Sequence, residues 1–195
     1  MKRFTFTSLL GVALLALGAC SDPLDTAQYT ITPPTPQGSV PNRLGRAEMR
    51  EVSLPQYASG QEIAYQTADG ALRSSPDNLW ADDQRRAVTL ALARQISELS
   101  GATVVAEPWP LASEPQRRIE VRIERFLAAA DNAVHLDGVY YVSPAGYDAQ
   151  GGDVVRPFAI TVPMQTDGKQ ATPGLIARTQ SQALAVLASK MAQLQ

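Results

Sequence analysis

The chain has 195 residues, with 17 Lys+Arg against 19 Asp+Glu, one histidine and one cysteine. The length suits one domain with a sizeable core, and the mildly acidic balance gives no bulk reason to bind nucleic acid. With Cys20 as the single cysteine, a disulfide framework and thiolate metal sites are excluded.

Residues 1–19 read as a secretory signal. Lys2 and Arg3 make a positive start, an uncharged stretch is most apolar from Leu9 to Leu17, and small residues precede the cut. The stretch is too short to span a bilayer, which needs about 20 apolar residues. Leu17-Gly18-Ala19-Cys20 resembles the bacterial lipobox. That resemblance implies an acylated Cys20 as the first mature residue. The competing reading is an ordinary signal peptide with an incidental cysteine. An unpaired thiol in an exported chain calls for an explanation, and lipidation supplies one. One acyl chain binds only marginally, so the several chains of such a lipoprotein are what make anchoring lasting. Removing the signal takes away Lys2, Arg3 and no acidic residue, which leaves a net charge of −4. In the usual sorting system, aspartate directly after the cysteine retains a lipoprotein in the inner membrane. Here Ser21 holds that place and Asp22 comes one later, which implies the outer membrane.

Residues 20–27 read as a short lipidated tether, and 28–195 as one α+β domain. A first strand is expected at Gln28–Thr32, followed by an irregular loop carrying Pro33, Pro34, Pro36 and Pro41. Glu51–Leu54 reads as a strand ended by Pro55. Asp69-Gly70 between Ile63–Thr67 and Ala71–Arg73 is a hairpin signal. A helix begins near Asp82, with Asp83 and Gln84 in its first turn, and Gly101 stops it. Its buried stripe is Val88, Ala91, Leu92, Ile96 and Leu99; Arg85, Arg86, Thr89 and Ser97 lie off it. Thr103–Ala106 reads as a strand. Arg118–Arg125 alternates cleanly, with Ile119, Val121 and Ile123 on one face. Phe126 breaks the pattern, which marks a bulge or the strand end. Ala133–Ser143 is the expected antiparallel partner, after a turn at Asp131-Asn132. Val155–Val162 is a further strand, and its Pro157 points to an edge. Thr172-Pro173 opens a closing helix that buries Ile176, Ala183, Leu184, Leu187, Met191 and Leu194. The expected fold is a mainly antiparallel sheet of about six strands with two helices on one face.

No catalytic constellation emerges, so the chain reads as a non-enzyme without a metal site or cofactor. The single histidine, His135, is expected on an outer strand face beside Asp137, a minimal acid–base pair with no nucleophile elbow to complete it. Glu120 and Glu124 interleave with Arg118 and Arg122, which favours ion pairing over a carboxylate dyad. No Gly-rich loop with a following lysine suggests a nucleotide. Tyr57, Trp80 and Trp109 either pack against the core margin or line a contact surface, where Tyr and Trp are favoured anchors. Tyr57 and Trp109, each held by nearby prolines, are the expected partner-binding residues.

One series of motifs spans nearly the whole mature chain. It runs from Leu17-Gly18-Ala19-Cys20 and Tyr29-Thr30-Ile31 to Val52-Ser53-Leu54-Pro55-Gln56-Tyr57 and Ile63-Ala64-Tyr65. Asp69-Gly70, Leu79-Trp80-Ala81-Asp82, Ile119-Glu120-Val121-Arg122-Ile123 and the last helix follow. The series resembles the auxiliary lipoproteins of ABC-type lipid transporters, most tellingly in Val52-x-Leu54-Pro55-x-Tyr57. The resemblance implies a non-enzymatic outer-membrane lipoprotein serving lipid transport between inner and outer membranes. It also implies a tunnel-forming partner of the mammalian-cell-entry type and a homo-oligomer. Two other classes stay open from the residues alone. One is an envelope assembly lipoprotein, such as a cell-wall synthase activator or a secretion pilot; the other is a degenerate hydrolase using His135.

Overall fold

The computed structural model describes residues 25–146, 151–166, 168 and 170–195. The expected signal, Cys20, most of the tether and part of the loop near Asp148 lie outside the described residues. The described elements run β1 (Ala27–Tyr29), β2 (Arg46–Met49), a 3₁₀ turn (Gln56–Ala58), β3 (Tyr65–Gln66), β4 (Leu72–Arg73) and β5 (Asn78–Trp80). Then come α1 (Gln84–Ser100), β6 (Thr103–Ala106), β7 (Arg117–Ala128), β8 (Ala133–Pro144), β9 (Val154–Pro163) and α2 (Pro173–Gln193).

β7 is the strand to which the others register. Its alternation turns Ile119, Val121 and Ile123 into the core. One edge pairs antiparallel with β8 along its whole length, and β8 pairs the same way with β9. The other edge takes β2 in parallel at its start and β3 in parallel at its end, where Tyr65 faces Ala128. Between β2 and β3 the chain follows the same edge. Arg50 N–H donates to Ile119 O at 2.9 Å, Ser53 N–H to Val121 O at 3.0 Å, and Ile123 N–H to Ser53 O at 2.9 Å. β6 pairs in parallel with β2, and β4 antiparallel with β3. β1 and β5 form a separate parallel pair.

The sheet is therefore mixed, and the expected mainly antiparallel order is not found: three of its six pairings are parallel, as is the separate β1–β5 pair. The cause is the long excursion from β2 through the hairpin and α1 to β6, because a crossover returns a strand in the same direction. The main sheet has seven strands rather than about six, beside the two-stranded ribbon. The strand expected at Glu51–Leu54 gives way to β2 at Arg46–Met49, and Ser53 keeps one bridge to Arg122. Pairing shifts register between Ile123 and Arg125, so the break at Phe126 is a bulge and β7 continues beyond it. β8 passes this point only through Gly138, where a Cβ would lie 2.1 Å from Arg122 O.

The two helices lie side by side on one face of the sheet and share its core. Asp83 caps α1 by accepting Arg86 N–H at 3.0 Å, and Gly101 closes it at φ +67°, a conformation glycine adopts without strain. Val88, Leu92 and Ile96 are 0% exposed. Thr89, expected off the stripe, is buried as well. Its hydroxyl donates to Arg85 O at 2.6 Å and accepts Val52 N–H at 3.0 Å. It thus ties α1 to the segment where β2 has ended and Val52 lacks a strand partner. Thr172 caps α2 through Leu175 N–H at 3.3 Å. The α2 end is tied to the sheet by the buried Tyr140, whose hydroxyl donates to Gln195 O at 2.6 Å.

β9 is an edge strand. Main-chain groups of Ile119, Val121 and Ile123 face the 46–54 segment. Alternation across β8 then turns those of Val155, Pro157, Ala159, Thr161 and Pro163 to the free edge. Two of these five positions are prolines, which have no N–H to offer there.

Leu92→Ala should cost about 2–5 kcal/mol in urea melts, whereas the exposed Arg86→Ala should stay within about 0.5 kcal/mol. Burial pushes the Tyr140 phenol up to about 12 from 10.0. A folded value raised in this way contributes stability that is complete below pH 10 and lost as pH rises through about 12. Tyr140→Phe should therefore show a shallower alkaline loss of stability than the parent chain over that window.

Candidate functional site

The outer face of the sheet carries the charged residues of β7 and β8, and most of them pair with a neighbour. His135 Nδ1 lies 3.0 Å from Arg125 Nη2, which can only donate. Nδ1 therefore accepts, the proton sits on Nε2, and Nε2 donates to Asp131 Oδ2 at 2.8 Å. The hydroxyl of Thr161 adds a 3.3 Å contact at Nδ1. The His135–Asp137 pair expected from alternation does not form, although both residues lie on the outer face. Arg125 stands between them and donates through Nε to Asp137 at 2.6 Å. The hydrogen bond from His135 holds the Asp131 carboxyl below its ordinary range. In this arrangement both ring nitrogens are engaged, and neither is placed to take a proton from a nucleophile.

Two further arginines of β7 are paired as well. Arg122 binds Glu120 at 2.6 Å and lies 5.2 Å over the Tyr141 ring, while Arg118 reaches across to Glu48 on β2 at 3.4 Å. Among the described residues no three His, Cys, Asp or Glu side chains are grouped to hold a metal ion. The larger clefts are open. One of about 430 Å³ runs between Tyr29–Ile31 and the α1 face bearing Ala87 and Arg94. Another, of about 570 Å³, lies between Tyr57 and the β4 side of the hairpin.

The three aromatic residues separate into different roles. Trp80 is 5% exposed and belongs to the core. Tyr57 is half-buried, and its hydroxyl accepts Phe126 N–H at 3.2 Å. At this level the 3₁₀ turn has carried the main chain away from β7, so a side chain substitutes for the missing strand neighbour. Trp109 stands on the Pro108–Pro110 loop beyond β6. Its N–H donates to Glu48 Oε1 at 3.1 Å and its indole N–H to Ser113 O at 2.8 Å. Glu48 pairs with Arg118, so Trp109 and Tyr57 are fastened at points eight residues apart on β7. At about 3.3 Å per residue that is roughly 25 Å, and the structure does not bring them into one patch. Sequence patterning carried no signal for the Tyr57 hydroxyl bond or the Glu48–Trp109 bond, because both link segments distant in the chain. Tyr57→Phe removes the acceptor of a sheet N–H and should destabilise the domain by about 1–3 kcal/mol. The Phe126 amide should then exchange faster than its β7 neighbours.

A family model described as the ABC-type transport auxiliary lipoprotein component matches residues 29–192. The intermembrane transport lipoprotein PqiC of Escherichia coli (strain K12) is 28% identical over 201 residues, covering 100% of both chains. PqiC of Shigella flexneri matches to the same extent. A crystal structure of an uncharacterized protein matches with a TM-score of 0.63 at 22% identity, covering 82% of this chain and 98% of that one. A crystal structure from Xanthomonas campestris gives 0.64 at 13% identity, covering 85% and 92%. These two likenesses show the fold. The family match, which runs from β1 nearly to the end of α2, shows more: the chain belongs to the ABC-type transport auxiliary lipoprotein component family.

Proposed function

We propose that this protein is a lipid-anchored, non-enzymatic accessory component of a system that moves lipids between the inner and outer membranes. The observation that carries this reading is the end-to-end similarity to PqiC, which is named an intermembrane transport lipoprotein. The anchor is Cys20, supported by Lys2, Arg3, the apolar stretch and the small residues before the cysteine. Ser21 after it directs the chain to the outer membrane, facing the periplasm. The partner is a tunnel-forming protein of the mammalian-cell-entry type, engaged by a homo-oligomer. Tyr57 and Trp109 are the proposed contact residues, and they carry unequal weight. Trp109 presents a half-buried ring on a proline-stiffened loop, which loses little entropy on binding. Tyr57 already holds the sheet through its hydroxyl.

The test is recovery of bound proteins from detergent-solubilised envelope, with intact mass measured on the same preparation. A diacylglyceryl-type adduct on Cys20 and co-recovery of a tunnel-forming membrane protein are expected. A soluble mature protein of unmodified mass would end the anchor reading, and recovery of a cell-wall synthase or secretin would favour the assembly-lipoprotein class instead. Trp109→Ala, once shown to be folded, should lower partner recovery several-fold while leaving the adduct intact. Undiminished recovery would remove Trp109 from the contact surface.

A further inference from the structure

Strand directions establish which end of the domain the N-terminal segment leaves from. β7 runs from Arg117, beside the 107–116 loop, to Ala128, beside the β3–β4 hairpin. β3 runs the same way, since Tyr65 pairs in parallel with Ala128. β5 runs the opposite way, since Leu79 pairs antiparallel with Glu62 just before β3, and β1 is parallel to β5. The chain therefore enters β1 from the hairpin end, where Ala27 N–H donates to Asp77 O at 2.7 Å. The same end holds the hairpin residues Thr67 and Ala68, Asn132 of the β7–β8 turn and Ala171 before α2, all of which line one cleft. Gly101, the Trp109 loop and Pro144 mark the opposite end.

Seven Cα-to-Cα steps join Cys20 to Ala27, which reach at most about 25 Å when fully extended. The twelve residues of β7 extend roughly 36 Å. Ala27 pairs with Asn78, level with Ile63 and about two residues inside the β7 end, so inverting the domain on its anchor would lift it roughly 30 Å from the membrane, farther than the tether reaches. We propose that the domain stands upright on the lipid surface that holds it. The hairpin end faces the bilayer, and the Trp109 loop is held at the far side, open to a protein approaching from the side away from that membrane. Leu111, 44% exposed on the same loop, adds apolar surface there. At the bilayer-facing turns, Asp69 is paired with Arg73 at 3.1 Å and Asp131 accepts a hydrogen bond from His135 at 2.8 Å. The orientation rests on the lipidation of Cys20 proposed above.

Because Cys20 is the only cysteine, an added one is the sole free thiol of the lipidated protein. Ala68→Cys and Leu111→Cys, both at exposed positions, would each carry a fluorescent donor. The labelled lipoproteins would be inserted into phosphatidylethanolamine–phosphatidylglycerol vesicles containing a headgroup-labelled acceptor lipid. Energy transfer should be several-fold stronger from position 68 than from position 111, with circular dichroism of both variants unchanged. A flexible Gly/Ser insertion between Asp22 and Pro23 should shrink that difference. Equal transfer, or stronger transfer from position 111, in protein that floats with the vesicles would overturn the orientation alone. Failure of the purified protein to float would overturn the anchor reading and the orientation with it.

Discussion

The two hydrogen-bonding edges of β7 organise the domain. One edge is satisfied conventionally by β8 over its full length. The other is satisfied piecemeal by β2, the bridge at Ser53, the Tyr57 hydroxyl and β3. A central strand with one edge left open would hold unpaired polar groups against a buried face, at a cost comparable to losing those bonds outright. The irregular path from Arg46 to Gln66 is explained by that requirement. Where the chain leaves the edge, a side chain takes over, and where the edge bulges, Gly138 across the sheet makes room.

What the sequence made legible was local. Strict alternation from Arg118 to Arg125 identified β7, Thr172-Pro173 and Gly101 marked helix ends, and Asp69-Gly70 marked the hairpin. What stayed hidden depended on distant partners. β2 has only Ala47 and Met49 to turn inward, too few to show a period. Its parallel pairing with β6 joins residues more than fifty positions apart. Thr89 looked like a surface residue because nothing near it in sequence reveals that Val52 N–H needs an acceptor. The same division holds at the candidate site. The cysteine motif is contiguous and readable by eye, whereas the roles of Tyr57 and Trp109 depend on Phe126 and Glu48, which only the fold brings to them.

The outer face shows why a chain with so many charged residues on one sheet need not be an enzyme. Arg118, Arg122, Arg125 and His135 each have an acidic partner within the same face. Such a face is held in fixed geometry and offers substrates little unsatisfied chemistry.

The prolines at 157 and 163 carry a consequence for crowding. Proteins tethered to one surface diffuse in two dimensions and collide repeatedly in similar attitudes, conditions under which exposed strand edges zip together into continuous ribbons. On β9 such zipping is interrupted at two of five positions, since a neighbour's carbonyls would find no donor there. Copies held close together are thus hindered from joining through β9. An ordered assembly of such copies would then rest on surfaces other than this edge, and its size would follow from their shape rather than from open-ended growth of a sheet through β9.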